Sequence, residues 1–400
     1  MKPKLKVIVE NESNIVTEDL KQKGTFYTKD EIFGQPELWS ALWKSSQKEL
    51  SNIEEFLKSA FSQKDIYVVL TGAGTSAFIG DVLEGPFQKA TNVITRAVAT
   101  TDIVTHPELY FFENKPVLLV SFARSGSSPE SAAAVKLAGK FSKQVYHLII
   151  TCNAGSILID AVKDTNHFVY LMPEGANDKG LAMTGSFTSM LLGGLIAANA
   201  GNPEELESQI ELLVNYGNKI LEDYAGQLEE VAKLDFDRAV FLGSGLTRGI
   251  ARESHLKLQE LTDGKVICKY DSFLGFRHGP KAVVNANTLI VYIFSNDAYV
   301  NLYEKDLVGA VNGRDCIYSI GIMEREIEGL KLDKEIILSK DSSNIKEEFL
   351  AVAAVLPAQL IGLYKSLDLG LKPDSPSESG MIHRVVQGVN IYPYTKNGKV

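Results

Sequence analysis

Ile66-Tyr67-Val68-Val69-Leu70, followed by Thr71-Gly72-Ala73-Gly74-Thr75-Ser76-Ala77, runs from an unbroken apolar stretch through a glycine turn into helix-compatible residues. A short apolar run rich in β-branched residues reads as a strand covered on both faces, the kind found in parallel sheets. Val117-Leu118-Leu119-Val120 is a second such run and Val145 to Ile150 a third, with helical stretches between them. Strands alternating with helices predict an α/β domain built on a parallel sheet. The pattern then returns. Ala239-Val240-Phe241-Leu242 leads into Gly243-Ser244-Gly245, and Gly243 follows Gly72 by 171 residues. Leu289-Ile290-Val291-Tyr292 and Ile317-Tyr318-Ser319-Ile320 each follow their counterparts by 172 residues. Any two α/β domains contain apolar strands, but three strands at one offset point to two copies of one domain. The period is too long for a solenoid.

Gly201-Asn202-Pro203 interrupts the helical texture at the seam. The expected organisation is an N-terminal arm and helix over 1–48, a first domain over 49–212, a second over 213–372 and a tail over 373–400. The first 25 or so residues are polar and mixed, as in an arm or loosely held strand. Pro36 opens a helical pattern carrying Leu38, Leu42, Leu50, Ile53, Phe56 and Leu57.

The composition sets outer limits. The chain has 400 residues, 45% apolar and 23% charged, with a net charge of −9. That balance is ordinary for a globular protein with a large core. No long basic stripe exists, so neither nucleic acid nor an anionic membrane is an expected partner. Cys152, Cys268 and Cys316 lie far apart with no CxxC spacing, which reads as reduced thiols in a cytoplasmic protein. The N-terminus lacks the apolar core of a signal peptide. The apolar stretch Met190 to Ala198 is about half of a membrane span and reads as a buried helix. No histidine spacing suits a metal, so neither metal nor cofactor is expected.

Four segments carry the chemistry. Gly72-Ala73-Gly74-Thr75-Ser76-Ala77 fits a loose dinucleotide fingerprint, but the acid expected about 20 residues on is missing. A plain tight turn and a phosphate or sugar contact through Thr75 and Ser76 are the other two readings, and the neighbouring loop favours the last. That loop is Arg124-Ser125-Gly126-Ser127-Ser128-Pro129-Glu130. Ser128 suits a helix N-cap and Pro129 the first turn. Free N–H groups, three hydroxyls and one guanidinium would then face an anion, with Gly126 letting the backbone wrap it. The alternative is a serine-rich turn with a capped helix. In the second copy the matching stretch, Phe294-Ser295-Asn296-Asp297, has lost the serine cluster.

Glu253, Lys257 and Glu260 are spaced to share one helix face. Spacing of this kind usually marks a salt-bridged surface stripe; the functional alternative is a carboxylate base beside a lysine. Finally, Phe276-Arg277-His278-Gly279-Pro280-Lys281 places a histidine in a loop, since Pro280 ends regular structure. His278 is the preferred acid–base candidate of the six histidines.

Taken in order, these motifs resemble the sugar isomerase (SIS) family, and the isomerase half of glucosamine-6-phosphate synthase, which carries two SIS domains. The stretch 272–281 and the tail Arg384-Val385-Val386-Gln387-Gly388-Val389 are most similar to the AgaS subgroup. Members are described as tagatose-6-phosphate ketose/aldose isomerases or galactosamine-6-phosphate deaminases. The resemblance spans roughly residues 30 to 395. It implies two tandem SIS domains, each a flavodoxin-like three-layer sandwich. It implies a phosphate loop at Arg124, Ser125, Gly126, Ser127 and Ser128, with Gly74, Thr75 and Ser76 at the sugar phosphate. It implies further substrate contacts from Thr184, Ser186 and Lys257, Glu260 as base, and His278 as a ring-opening histidine lent by a neighbouring subunit of a homo-oligomer. The synthase's C-terminal lysine has no match; Met381 or its neighbours stand there. Two other functions remain open on the sequence: a sugar-phosphate sensor without catalysis, and a nicotinamide-linked oxidoreductase.

Overall fold

The structure, a computed structural model, describes residues 23–311, 316–340, 344–386 and 388–395. Most of the expected N-terminal arm (residues 1–22) lies outside them.

Two five-stranded parallel sheets form the framework. The first contains β1 (Tyr67–Thr71), β2 (Thr95–Ala97), β3 (Pro116–Ala123), β4 (Gln144–Thr151) and β5 (Asn166–Leu171), in the order β2-β1-β3-β4-β5. The second contains β6 (Arg238–Gly243), β7 (Ile267–Ser272), β8 (Thr288–Ile293), β9 (Tyr318–Met323) and β10 (Lys334–Ile337), in the order β10-β9-β8-β6-β7. Counted from each domain's own first strand, both orders are 2-1-3-4-5, so the repeated offset is a repeated topology. All six strands expected from the repeat are present. The four that sequence alone did not show are β2, β5, β7 and β10. They lie at the sheet edges, and their apolar runs are short or interrupted. In this topology the chain reverses its winding between the first and third strands, and ligands bind at that switch point beyond the carboxyl ends of the strands. β1 and β3, paired Leu70 to Val120, end there in the Gly72 turn and the Arg124 loop.

The helix Gly185–Ala198 is buried along nearly its whole length. It packs against the helix Thr75–Thr91, where a Cβ on Gly194 would come within 2.4 Å of Leu83. Helix Thr247–Leu261 of the second domain also packs closely on the same Thr75–Thr91 helix. A Cβ on Gly249 would stand 2.6 Å from the Val82 side chain and 2.9 Å from its backbone nitrogen. This close crossing brings Glu253 and Lys257 against Thr75. Arg252 also pairs with Asp81 at 2.6 Å across the two domains.

The N-terminal helices are integral to the fold. Trp39 is fully buried and donates to Thr188 Oγ1 at 3.0 Å, and Gln35 donates to Gln359 at 2.6 Å. The pattern opened by Pro36 forms two helices, Gln35–Ser46 and Leu50–Phe61. At the seam, Pro203–Lys219 runs through a π turn, Ile220–Tyr224, into Ala225–Ala232, so the two sheets are joined by continuous helix. The run Glu347–Asp368 has the length and apolarity of a membrane span, but its most apolar window is 89% buried inside the fold.

Candidate active site

Two adjoining clefts open at the switch point of the first sheet. One is lined by Ser76, Arg124, Ser125, Gly126, Ser128 and Glu130, and the other, of about 310 Å³, by Thr75, Lys257, Glu260, Leu181 and the tail residues Met381 to Arg384. Ala73, Arg124, Met183, Arg384 and Val386 line both, so the clefts are two ends of one site.

The Arg124 loop is shaped by its neighbours. Thr151 donates to the Ala123 carbonyl at 2.7 Å, Asn153 to the Ser125 carbonyl at 2.8 Å and Ser156 to the Gly126 carbonyl at 3.1 Å. Gly126 has φ +63°, a conformation that disfavours any side chain. Ser128 is the N-cap residue of the helix Pro129–Phe141, as expected, but its hydroxyl does not cap. It donates instead to Glu130 at 2.5 Å. Pro129 has no N–H, and the backbone N–H groups of Ser131 and Ala132 donate to the Ser128 carbonyl at 3.2 and 3.4 Å. Ser127 is exposed, contacts Ser125 at 3.4 Å and lines neither cleft.

Gly74, at φ +56°, turns the chain into the helix that begins at Thr75. Ser76 lines the first cleft against Met183. Thr75 Oγ1 accepts from Lys257 at 3.1 Å and lies 3.3 Å from Glu253. Lys257 pairs with Glu260 at 2.7 Å and with Glu253 at 3.4 Å. The surface-stripe reading of this spacing fails: the Lys257 and Glu253 side chains are 1% and 0% exposed. Burial lifts the Glu253 carboxyl to about 8, against the opposing pull of Lys257. Burial alone would lower the Lys257 ammonium, but the two carboxylates outweigh it and leave it raised. With three protein oxygens around its ammonium, Lys257 is a bracket for Glu260 and not a free phosphate ligand.

Thr184 and Ser186 are not brought to the clefts. Both are fully buried, and their hydroxyls and backbone N–H groups all turn to Asp178. Asp178 also takes the Gly185 N–H at 3.0 Å and so caps the helix Gly185–Ala198. Sequence reasoning missed this residue; an acid a few residues before a Thr-Gly-Ser helix start was the available signal. Whether Arg384 or His383 reaches the site is a question the sequence leaves open, and both line the second cleft. Arg384 donates to the Asp178 carbonyl at 2.9 Å and to Asn177 at 2.9 Å, while Arg124 donates to the carbonyls of Leu181 and Arg384. Glu31 receives the N–H groups of Lys179 and Gly180; its carboxyl is pushed up to about 7, by burial first and then by Asp178.

His278 follows the short helix Phe273–Phe276, is exposed, and lines neither cleft. Among the described residues the only imidazole lining either cleft is that of His383.

Residues 61–200 match the model of the SIS domain. Over 393 residues the chain is 39% identical to D-galactosamine-6-phosphate deaminase AgaS of Shewanella sp. (strain ANA-3), covering 96% of this chain and 97% of that one. The chain belongs to the AgaS-type SIS proteins. The crystal structure of tagatose-6-phosphate ketose/aldose isomerase from Escherichia coli matches this AgaS-type chain with a TM-score of 0.84 at 36% identity, covering 92% of this chain and 96% of that one. A crystal structure from Clostridium novyi NT matches with a TM-score of 0.91 at 40% identity, covering 94% and 97%. The C-terminal domain of glucosamine-fructose-6-phosphate aminotransferase from Francisella tularensis, at 20% identity and a TM-score of 0.69, shares the fold. The two matching sheets of this AgaS-type chain are tandem SIS domains.

Proposed function

We propose that the chain is a sugar-phosphate deaminase/isomerase whose preferred substrate is galactosamine 6-phosphate, giving tagatose 6-phosphate and ammonia. The observation that carries this is the continuity of the two clefts. A helix N-terminus with Arg124 and the Ser125–Ser128 loop stands at one end, and the Glu260–Lys257 pair at the other. A phosphate anchored in the first cleft would supply binding energy that holds C2 beside Glu260 in the second.

In the open-chain aldehyde form, Glu260 takes the proton from C2 and the electrons pass through C1=C2 to the C1 oxygen, giving an enolamine. Returning a proton to C1 leaves a ketimine at C2. Water adds to that carbon and ammonia departs, leaving the ketose phosphate. With a hydroxyl at C2 the same two proton transfers give plain aldose–ketose isomerisation. One base serves both outcomes, and Lys257 holds that base in place. The deaminase name of the relative and the isomerase name of the neighbouring structure fit one chemistry. We place the activity in the cytoplasm.

Purified protein given galactosamine 6-phosphate and, separately, glucosamine 6-phosphate tests this directly. Ammonia and ketose from the galacto epimer support the proposal. Isomerisation of tagatose 6-phosphate without ammonia from either amino sugar would replace it with a simple isomerase. Binding without any turnover would replace it with a sensor. Ring opening requires a second proton carrier. The motif resemblance assigns it to His278 of a neighbouring chain in a homo-oligomer, and the exposure of His278 leaves it free for such a contact.

A further inference from the structure

Resting on the reading of the first cleft as the phosphate end of the site, we propose that Glu130 is an internal competitor for the substrate's phosphate, holding the Ser128 hydroxyl that the phosphate must take. The two residues flank Pro129 at the start of the helix Pro129–Phe141, and both line that cleft. An acid in a first helical turn ordinarily complements the helix dipole, and an N-cap serine ordinarily accepts a backbone N–H. Here the hydroxyl accepts no cap bond and donates to Glu130 Oε2 at 2.5 Å. The two side chains are spent on each other in the wall of the cleft.

A hydroxyl carries one proton and donates it to one acceptor at a time. A phosphate oxygen that takes this proton takes it from Glu130, and then stands beside a carboxylate that has lost its donor. The two cations of the cleft do not relieve that repulsion directly. Arg124 is turned to the carbonyls of Leu181 and Arg384, and Arg384 to Asn177 and the Asp178 carbonyl. The consequence lies in turnover. Substrate and product of an isomerase or deaminase step carry the same phosphate, so affinity for that group is uniform binding, which lowers KM without speeding the chemistry. A carboxylate that takes back the Ser128 proton as the phosphate departs eases product out of a cleft built to hold it.

The test is calorimetric titration with galactitol 6-phosphate, an open-chain polyol phosphate that cannot react. It compares wild type with Glu130→Gln, Glu130→Ala, Ser128→Ala and the double variant Glu130→Gln/Ser128→Ala, at low and at high salt. Both Glu130 variants should bind about tenfold more tightly than wild type at low salt, the order expected from removing one charge about 5 Å from a dianion in a wet cleft. The gain should shrink at high salt, where screening is stronger. Ser128→Ala should cost at least about threefold more affinity in the Glu130→Gln background than in wild type, because only there is the hydroxyl at the phosphate's disposal. A merely structural acid would give weaker or unchanged binding when replaced. The proposal is therefore overturned if neither Glu130 variant binds more tightly than wild type, or if Ser128→Ala costs the same in both backgrounds. A wild type that does not bind galactitol 6-phosphate overturns the assignment of the cleft to phosphate, a result distinct from a wild type that binds and variants that bind no better.

Discussion

Replacing Gly126 with alanine should damage the phosphate cleft more than any other single-methyl change in the site. The residue has φ +63°, and a left-handed conformation costs an L-residue about 1–2 kcal/mol. The added Cβ would stand 1.7 Å from Ser156 Oγ and 2.4 Å from Ser156 Cβ. Ser156 cannot simply rotate away, because its hydroxyl donates to the Gly126 carbonyl and accepts the Leu158 N–H at 3.1 Å as a helix cap. Relieving this contact adds about 1–3 kcal/mol of overpacking strain. The summed loss of stability is on the order of 2–5 kcal/mol. A loop displaced by this clash should also weaken sugar-phosphate affinity. Urea unfolding and calorimetric titration with galactosamine 6-phosphate measure the two effects. The double variant Gly126→Ala/Ser156→Gly removes both offending atoms and should recover the overpacking part, leaving the left-handed strain and a few tenths of a kcal/mol for the weaker cap. Wild-type stability and affinity in Gly126→Ala would refute the geometry assigned to this loop.

Arg124→Ala should raise KM about tenfold or more with a smaller fall in kcat, because the guanidinium serves ground and transition states alike and also holds Leu181 and Arg384; steady-state kinetics showing a kcat loss at unchanged KM would contradict this. Lys257→Met removes the cation paired with buried Glu253 and frees Glu260. Stability should drop by roughly 3 kcal/mol and kcat at least tenfold, with part of the stability returned by adding Glu253→Gln, all read by denaturant melts and ammonia assay. Glu304 is a buried carboxyl whose pKa burial raises to about 7, so its folded value lies above its unfolded 4.5. The folded state therefore holds the proton more tightly, and the resulting stability is present below about 4.5 and lost as pH climbs through 7. Glu304→Gln should flatten this decline, gaining on the order of 2–3 kcal/mol relative to wild type between pH 5 and 8; parallel unfolding curves at the two pH values would count against it.

Much of the framework was legible because parallel strands covered on both faces announce themselves as unbroken apolar runs, and the shared offset of three such runs exposed the duplication. The edge strands were not legible. β7, for example, reads Ile-Cys-Lys-Tyr-Asp-Ser and is only partly buried, so its pattern carries little signal. The loop at Arg124 stood out by its residue types, but the same serines, glycine and helix-starting proline also describe a plain turn before a capped helix, and only the fold shows the loop lining a cleft. The environment of Glu253 and Lys257 was not. The same i, i+4, i+7 spacing describes a solvated stripe and a buried bracket, and only the crossing at Gly249 decides between them. Thr184 and Ser186 were misplaced for a related reason. A hydroxyl at a helix start can face a ligand or a capping acid, and Asp178 reaches it through a loop whose course the sequence does not specify. The tail at residues 384–389 stood out only by resemblance, about 120 residues beyond Glu260, and the sequence left open whether His383 or Arg384 reaches the site; both line the second cleft.

Ammonia release from galactosamine 6-phosphate by wild type and by Glu260→Gln, with substrate affinity measured on both, tests the central claim most directly. The account predicts turnover by wild type and its abolition in the variant, with binding within a few-fold of wild type. A Glu260→Gln protein that still turns over the sugar phosphate at a comparable rate would remove Glu260 from the chemistry and contradict the account.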